Sequence, residues 1–218
     1  MNGQDGAVEP AARNWWPEDE DDYEAASTEL KERFGAWAAG NDLMLREDAG
    51  EGLLHYKWGY IDGHLTRWKR GDLSELYLEL YPAKVMVDPD ELDDVLEEAR
   101  AFVTFLADTG LLDPDSDPAD VLLEHLGRIE STFRAHMTDA SRFSFGKRMW
   151  TKALSEGVDL GDQRAVDAFI AQFNARPRAE REAVLGRTLP SRQPAGGRVT
   201  PRGTQPRPSS AKRRKRRR

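Results

Sequence analysis

The chain has 218 residues, 39% hydrophobic and 33% charged, with a formal net charge of −7 at pH 7. It contains no cysteine, which excludes disulfides, thiolate nucleophiles and thiolate metal ligation. No apolar run approaches the ~18 residues of a membrane span, and Met1–Asp5 lacks the basic-then-apolar pattern of a secretory leader, so the expected location is cytoplasmic.

The charge is segregated. Residues 1–22 hold seven acidic residues and one Arg, whereas residues 187–218 hold 12 of the 32 Lys and Arg and no acid. That leaves 20 cations against 39 acids in residues 1–186, a net −19 facing a +12 tail. The division predicts a disordered acidic segment over 1–22, a helical domain over 23–186 and a disordered basic segment over 187–218, since neither end has enough large apolar residues to form a core. Arg outnumbers Lys by 24 to 8, a bias that fits a GC-rich bacterial genome.

Within the acidic segment, Trp15-Trp16 is the exception; it docks either on the chain's own body or on a partner. Tyr23–Ala39 reads as a helix with Ala26, Leu30, Phe34 and Trp37 on one face and Gly40 as its stop. Residues 53–68 fit two patterns. Leu54, Tyr56, Trp58 and Tyr60 alternate ahead of Asp62-Gly63, as in a hairpin, yet Leu54, Trp58 and Ile61 also share a helix face. The helix is favoured, because a lone hairpin in a helical protein has little to pack on.

The clearest periodicity runs from Asp72 to Leu112. Leu73, Leu76, Tyr77 and Leu80 form one helix face, with Asp72 and Glu75 spaced as a near capping box and Pro82 as the expected terminator. Val85 and Val87 read as an extended connector. Asp88-Pro89 then opens a second helix whose stripe is Leu92, Val95, Leu96, Ala99, Phe102, Val103 and Leu106, ended by Gly110. Asp117-Pro118 repeats the start signal for a helix carrying Leu122, Leu126, Ile129, Phe133 and Met137. Phe145–Glu156, a helix capped by Asp162, and a short helix after Pro177 complete an all-α domain of irregular multi-helix architecture.

Four stretches carry a resemblance: Leu65-Thr66-Arg67-Trp68, Leu80-Tyr81-Pro82-Ala83-Lys84-Val85, Ala101-Phe102-Val103 and Ala165-Val166-Asp167-Ala168-Phe169. Over about residues 50–186 the chain resembles a helical region of uncharacterised actinobacterial proteins. The resemblance implies a fold neighbourhood and brings no assigned activity.

Motifs of chemistry are sparse. Gly146-Lys147 is followed by Arg148 where a phosphate loop needs Ser or Thr. His55, His64, His125 and His136 lack the two-His spacing of a zinc helix, so they read as surface or half-buried side chains. Asp88, Asp90, Glu91, Asp93, Asp94, Glu97 and Glu98 crowd one helix start, where negative charge is favoured by the helix dipole; they read as a solvated acidic face rather than an acid–base pair. Lys84 follows a helix break and is either a positioned cation or the partner of a carboxylate. His64–Arg70 interleaves cations with Trp68, which suits stacking on single strands or, alternatively, a core Trp with cations on the surface.

The strongest signal is the terminal run Lys212, Arg213, Arg214, Lys215, Arg216, Arg217 and Arg218, which attracts polyanions by counterion release. The sequence therefore points to a non-enzymatic accessory protein that associates with DNA or RNA through this tail while its body engages a protein. The alternative is a helical protein–protein interaction module with a solubilising or autoinhibitory tail. Neither reading calls for catalytic residues, metal ligands or cofactors, and the sequence leaves the oligomeric state open.

Overall fold

The computed structural model describes residues 15–46 and 48–186. Among them every regular element is helical, as the apolar periodicity predicts. The α-helices are α1 (Glu20–Gly40), α2 (Glu51–Tyr56), α3 (Arg70–Glu75), α4 (Tyr81–Lys84), α5 (Leu92–Asp108), α6 (Ala119–Thr138), α7 (Phe145–Ser155), α8 (Gln163–Ala175) and α9 (Arg178–Leu185). Two π-helical segments, Lys57–Ile61 and Leu76–Leu80, continue α2 and α3.

The main core is shared by α1 to α6. All seven residues of the α5 stripe are buried, joined by Phe105. They meet the buried face of α6, which is Leu122, Leu126, Ile129, Phe133 and Met137. At the centre, Phe102 meets Phe34 edge-on, with ring centroids 5.2 Å apart, and Trp68 at 6.2 Å. A smaller core gathers Ala153, Phe169 and Phe173 from α7 and α8. Gly110 takes the left-handed conformation (φ 69°) that ends α5, a conformation open to Gly without a Cβ clash.

Within residues 53–68 the chain is helical to Ile61 and then turns at Gly63 (φ 81°), and forms no hairpin. Trp15-Trp16 folds back on the body: the Trp15 carbonyl accepts the Leu65 N–H at 2.9 Å, and Trp16 stacks on His64 at 4.1 Å. Helix α1 starts three residues before the expected Tyr23, because the Asp19 carboxylate caps it through the Asp22 N–H at 2.9 Å. It ends at Gly40, as expected, with Asn41 as the C-terminal cap and the positive φ (56°) falling on Asp42.

Other local signals act differently from their sequence reading. Asp72 does not precede its helix. It sits inside the first turn of α3 and accepts the N–H of Lys69 at 3.0 Å. Asp117, the expected cap of α6, caps α3 instead by accepting the Arg70 N–H at 2.9 Å; Pro118 occupies the cap position of α6. Nor does Pro82 terminate its helix. The π-helical register over Leu76–Leu80 places Pro82 in the first turn of a renewed α-helix, and the Leu78 carbonyl, four residues back, takes its donor from His136 Nδ1 instead.

The two cores join at the end of α4. The last carbonyls of a helix need donors from elsewhere. Here the Ala83 carbonyl accepts the Ser144 N–H at 2.9 Å, and the Pro82 carbonyl accepts from Lys147 Nζ at 3.0 Å. Lys147 is 6% exposed.

Phe102→Ala should lower stability by roughly 3–5 kcal/mol, because it removes a ring from the aromatic centre of the core. Equilibrium denaturation measures it. A loss below about 1 kcal/mol would contradict the burial of the α5 stripe.

Candidate functional site

The terminal run Lys212–Arg218 lies outside the described residues. Within them, the cationic aromatic stretch His64–Arg70 is the first candidate, and its groups are engaged internally. Trp68 is fully buried and its indole N–H donates to the Leu65 carbonyl at 3.0 Å. Arg67 pairs with Asp62 at 2.9 Å and Arg70 with Asp117 at 3.3 Å. The backbone is clamped against residues 113–117: the Thr66 and Trp68 carbonyls accept from Asp113 and Asp117, and the Trp68 N–H donates to Ser116 Oγ. Trp58 stacks on Tyr23 at 4.3 Å. Both Trp rings thus serve packing, the second of the two sequence readings.

Beneath this stretch lies a group that the sequence reading passed over. Lys57 is 0% exposed. Its ammonium lies 2.5 Å from Asp72 Oδ2, 3.0 Å from Asp62 Oδ1 and 4.8 Å from the centroid of Trp68. A buried ammonium persists only when paired and hydrogen-bonded. Burial works to raise the Asp62 pKa, but Lys57 and the hydrogen bonds from Arg67, Lys57 and the His64 N–H outweigh it and hold the carboxyl below its ordinary range. The sequence signal was the spacing Leu53, Leu54, Lys57, which puts a cation on a buried face.

The acidic run of α5 is a solvated face at Asp90, Glu91, Asp93, Asp94 and Glu97, but not at Glu98, which is 7% exposed. Burial pushes the Glu98 carboxyl up, even though it accepts the Gly50 N–H at 2.8 Å and pairs with Arg46 at 3.2 Å. Glu98, Ala101 and Thr104 of α5 line a groove of about 480 Å³ together with Arg46 of residues 43–46 and Trp37 of α1. Its rim carries Leu43 and a Met44 that is 100% exposed.

The remaining predicted positions are dispersed. Lys84 is exposed with its ammonium 4.6 Å from the Tyr60 ring centroid. His55 neighbours Tyr56 and Tyr60, and His136 Nδ1 donates to the Leu78 carbonyl at 3.1 Å. His125 Nε2 is 2.8 Å from Ser74 Oγ, a nucleophile–base distance. Burial and the charges of Arg70 and Arg128 hold this imidazole below its ordinary pKa. Among the described residues no carboxylate hydrogen-bonds it, no cluster has the make-up of a metal site, and no helix is long and apolar enough to cross a membrane. Ser74 and His125 are 51 residues apart, so their meeting left no mark in local sequence.

Comparisons with protein-family models, curated proteins and solved structures found no match to this chain.

The buried cations generate two expected outcomes. Asp72→Ala should be more damaging than Lys57→Met. The first leaves an enclosed ammonium with Asp62 as its one remaining carboxylate and should cost about 2–3 kcal/mol. The second leaves carboxylates that water still reaches, and should cost about 1–2 kcal/mol. Denaturant unfolding of both variants checks the order. For Lys147, burial lowers the pKa from 10.5 to about 8. Between those values the unfolded chain binds more protons, so this group's contribution to stability rises with pH. The stability advantage of Lys147→Met over the natural chain should therefore shrink from pH 8 to pH 10.5. A constant difference across that window would refute the assignment.

Proposed function

We propose that the protein is a non-enzymatic accessory factor that associates with DNA or RNA through Lys212–Arg218 while its helical body docks a protein partner. The observation that carries this reading is the segregation of charge: residues 187–218 hold 12 cations and no acid, against a net −19 in residues 1–186. Seven consecutive cations concentrate counterion release in one short segment. The body adds little to polyanion binding, since Arg67 and Arg70 are paired with Asp62 and Asp117 and Trp68 is buried. Its negative field opposes the approach of a polyanion, so affinity should be modest. Contacts made to phosphates alone carry no base preference.

A protein-interaction module with a solubilising or autoinhibitory tail is the second reading. The groove beside Met44 favours it, because an apolar rim in water is the kind of surface partners bury.

Titration of labelled duplex DNA and RNA at several salt concentrations tests the first reading. Log K should fall against log salt with a slope of about −3 to −5, short of the roughly −6 expected if all seven charges engaged at once. Removing residues 211–218 should abolish nearly all binding and leave the melting behaviour unchanged. Failure of the intact chain to bind either nucleic acid at low salt would give the interaction-module reading the lead.

A further inference from the structure

We infer that the basic C-terminal segment docks in cis in the groove between residues 43–46 and α5, with Val199 as its apolar anchor and Arg198 and Arg202 against the acidic rim. This inference adds regulation to the proposed function and rests on the tail being the nucleic-acid arm.

The groove favours an occupant that is apolar and cationic together. Its apolar rim is unsatisfied, with Met44 100% and Leu43 44% exposed. Its charges do not balance. Arg46 is committed to Glu98 and Asp48, and Arg100 to Glu97 and Glu130. The groove itself is lined by these two cations and by three carboxylates, Asp94, Glu97 and Glu98, and Asp94 makes no ion pair among the described residues. Asp90 and Glu91 extend the negative strip along the start of α5.

The chain carries a segment of matching chemistry. Beyond Gly186 the large apolar residues are Leu189 and Val199, and Val199 stands in Arg198-Val199-Thr200-Pro201-Arg202. Reach selects between them. Helix α9 packs on α7, and α7 meets the main body at α4, whereas the groove lies on α1 and α5. Leu189 is three residues past Gly186 and extends roughly 10 Å at most. Val199 is thirteen residues past it and extends up to roughly 45 Å, comparable with the roughly 40 Å diameter of a body of this size. The Lys212–Arg218 run continues beyond the anchor, alongside the acids of α5. Tethering makes this docking intramolecular, so its occupancy does not depend on protein concentration. Nucleic acid and the groove then compete for one tail, and a polyanion that captures the tail uncovers the groove for a protein partner.

The absence of native cysteine makes the test direct in the full chain. Ala101→Cys lines the groove, and Thr200→Cys sits beside the anchor, so Met44, Val199 and both Arg remain intact. Under mild oxidation this double variant should form its intramolecular disulfide about fivefold faster than Met86→Cys with Thr200→Cys, given the raised local concentration at the groove. Asp94→Asn with Glu97→Gln should bring the rate down to that of the Met86→Cys control and raise affinity for duplex DNA about threefold or more, since a cis competitor is removed. Equal rates for the Ala101→Cys and Met86→Cys pairings, or a disulfide found only between chains, would overturn the inference. Selective cross-linking in a chain that ignores DNA at low salt would uphold docking and remove only the nucleic-acid reading.

Discussion

The fold turns on the burial of one ammonium. Lys57 lies on a helix face that otherwise meets the core, so its charge must be answered inside the protein. Asp62 from the following turn and Asp72 from α3 answer it, with Trp68 beneath. These three groups come from separate stretches of chain, and meeting one cation fixes their relative positions. Such a pair need not stabilise more than well-packed apolar residues would. Its effect is geometric: residues 62–72 are held as an internal strut, which is then sealed by backbone hydrogen bonds to residues 113–117.

That constraint propagates to function. A stretch of cations and aromatics suited to stacking on nucleic acid is consumed by the architecture, which is why the proposed function rests on the tail. The same logic governs the join between the two cores. The π-helical register ahead of Pro82 carries the helix on to Lys84, and its last carbonyls then require donors. Ser144 and Lys147 supply them, and α7 is thereby fixed to the body. At that join Lys147 has no carboxylate partner among the described residues, and burial holds its pKa down to about 8.

The groove beside α5 has a related origin. Glu98 turns inward to cap the Gly50 N–H and draws Arg46 with it. The chain between Asn41 and Arg46 is held near α5 by this contact, while Leu43 and Met44 face outward. A buried carboxylate thus shapes a surface with an apolar rim and an acidic wall, and the chain's own basic segment has the complementary chemistry.

The sequence by itself determined the helices, their apolar faces and the charge segregation. The α5 stripe from Leu92 to Leu106 and the α6 stripe from Leu122 to Met137 were legible because burial imposes the helical period on every turn. Tertiary structure decided what each polar residue does. Asp72 and Asp117 carry the same local cap signal as Asp88, yet one neutralises Lys57 and caps α3 from within while the other caps a helix 47 residues away. Glu98 is one more acid in a run of acids until Gly50 and Arg46 meet it. Ser74 meets His125, and Lys147 meets Pro82, only when helices distant in sequence pack together. Apolar burial is repetitive and writes a period into the chain, whereas a hydrogen bond or ion pair needs one partner at one distance, and the fold alone supplies it.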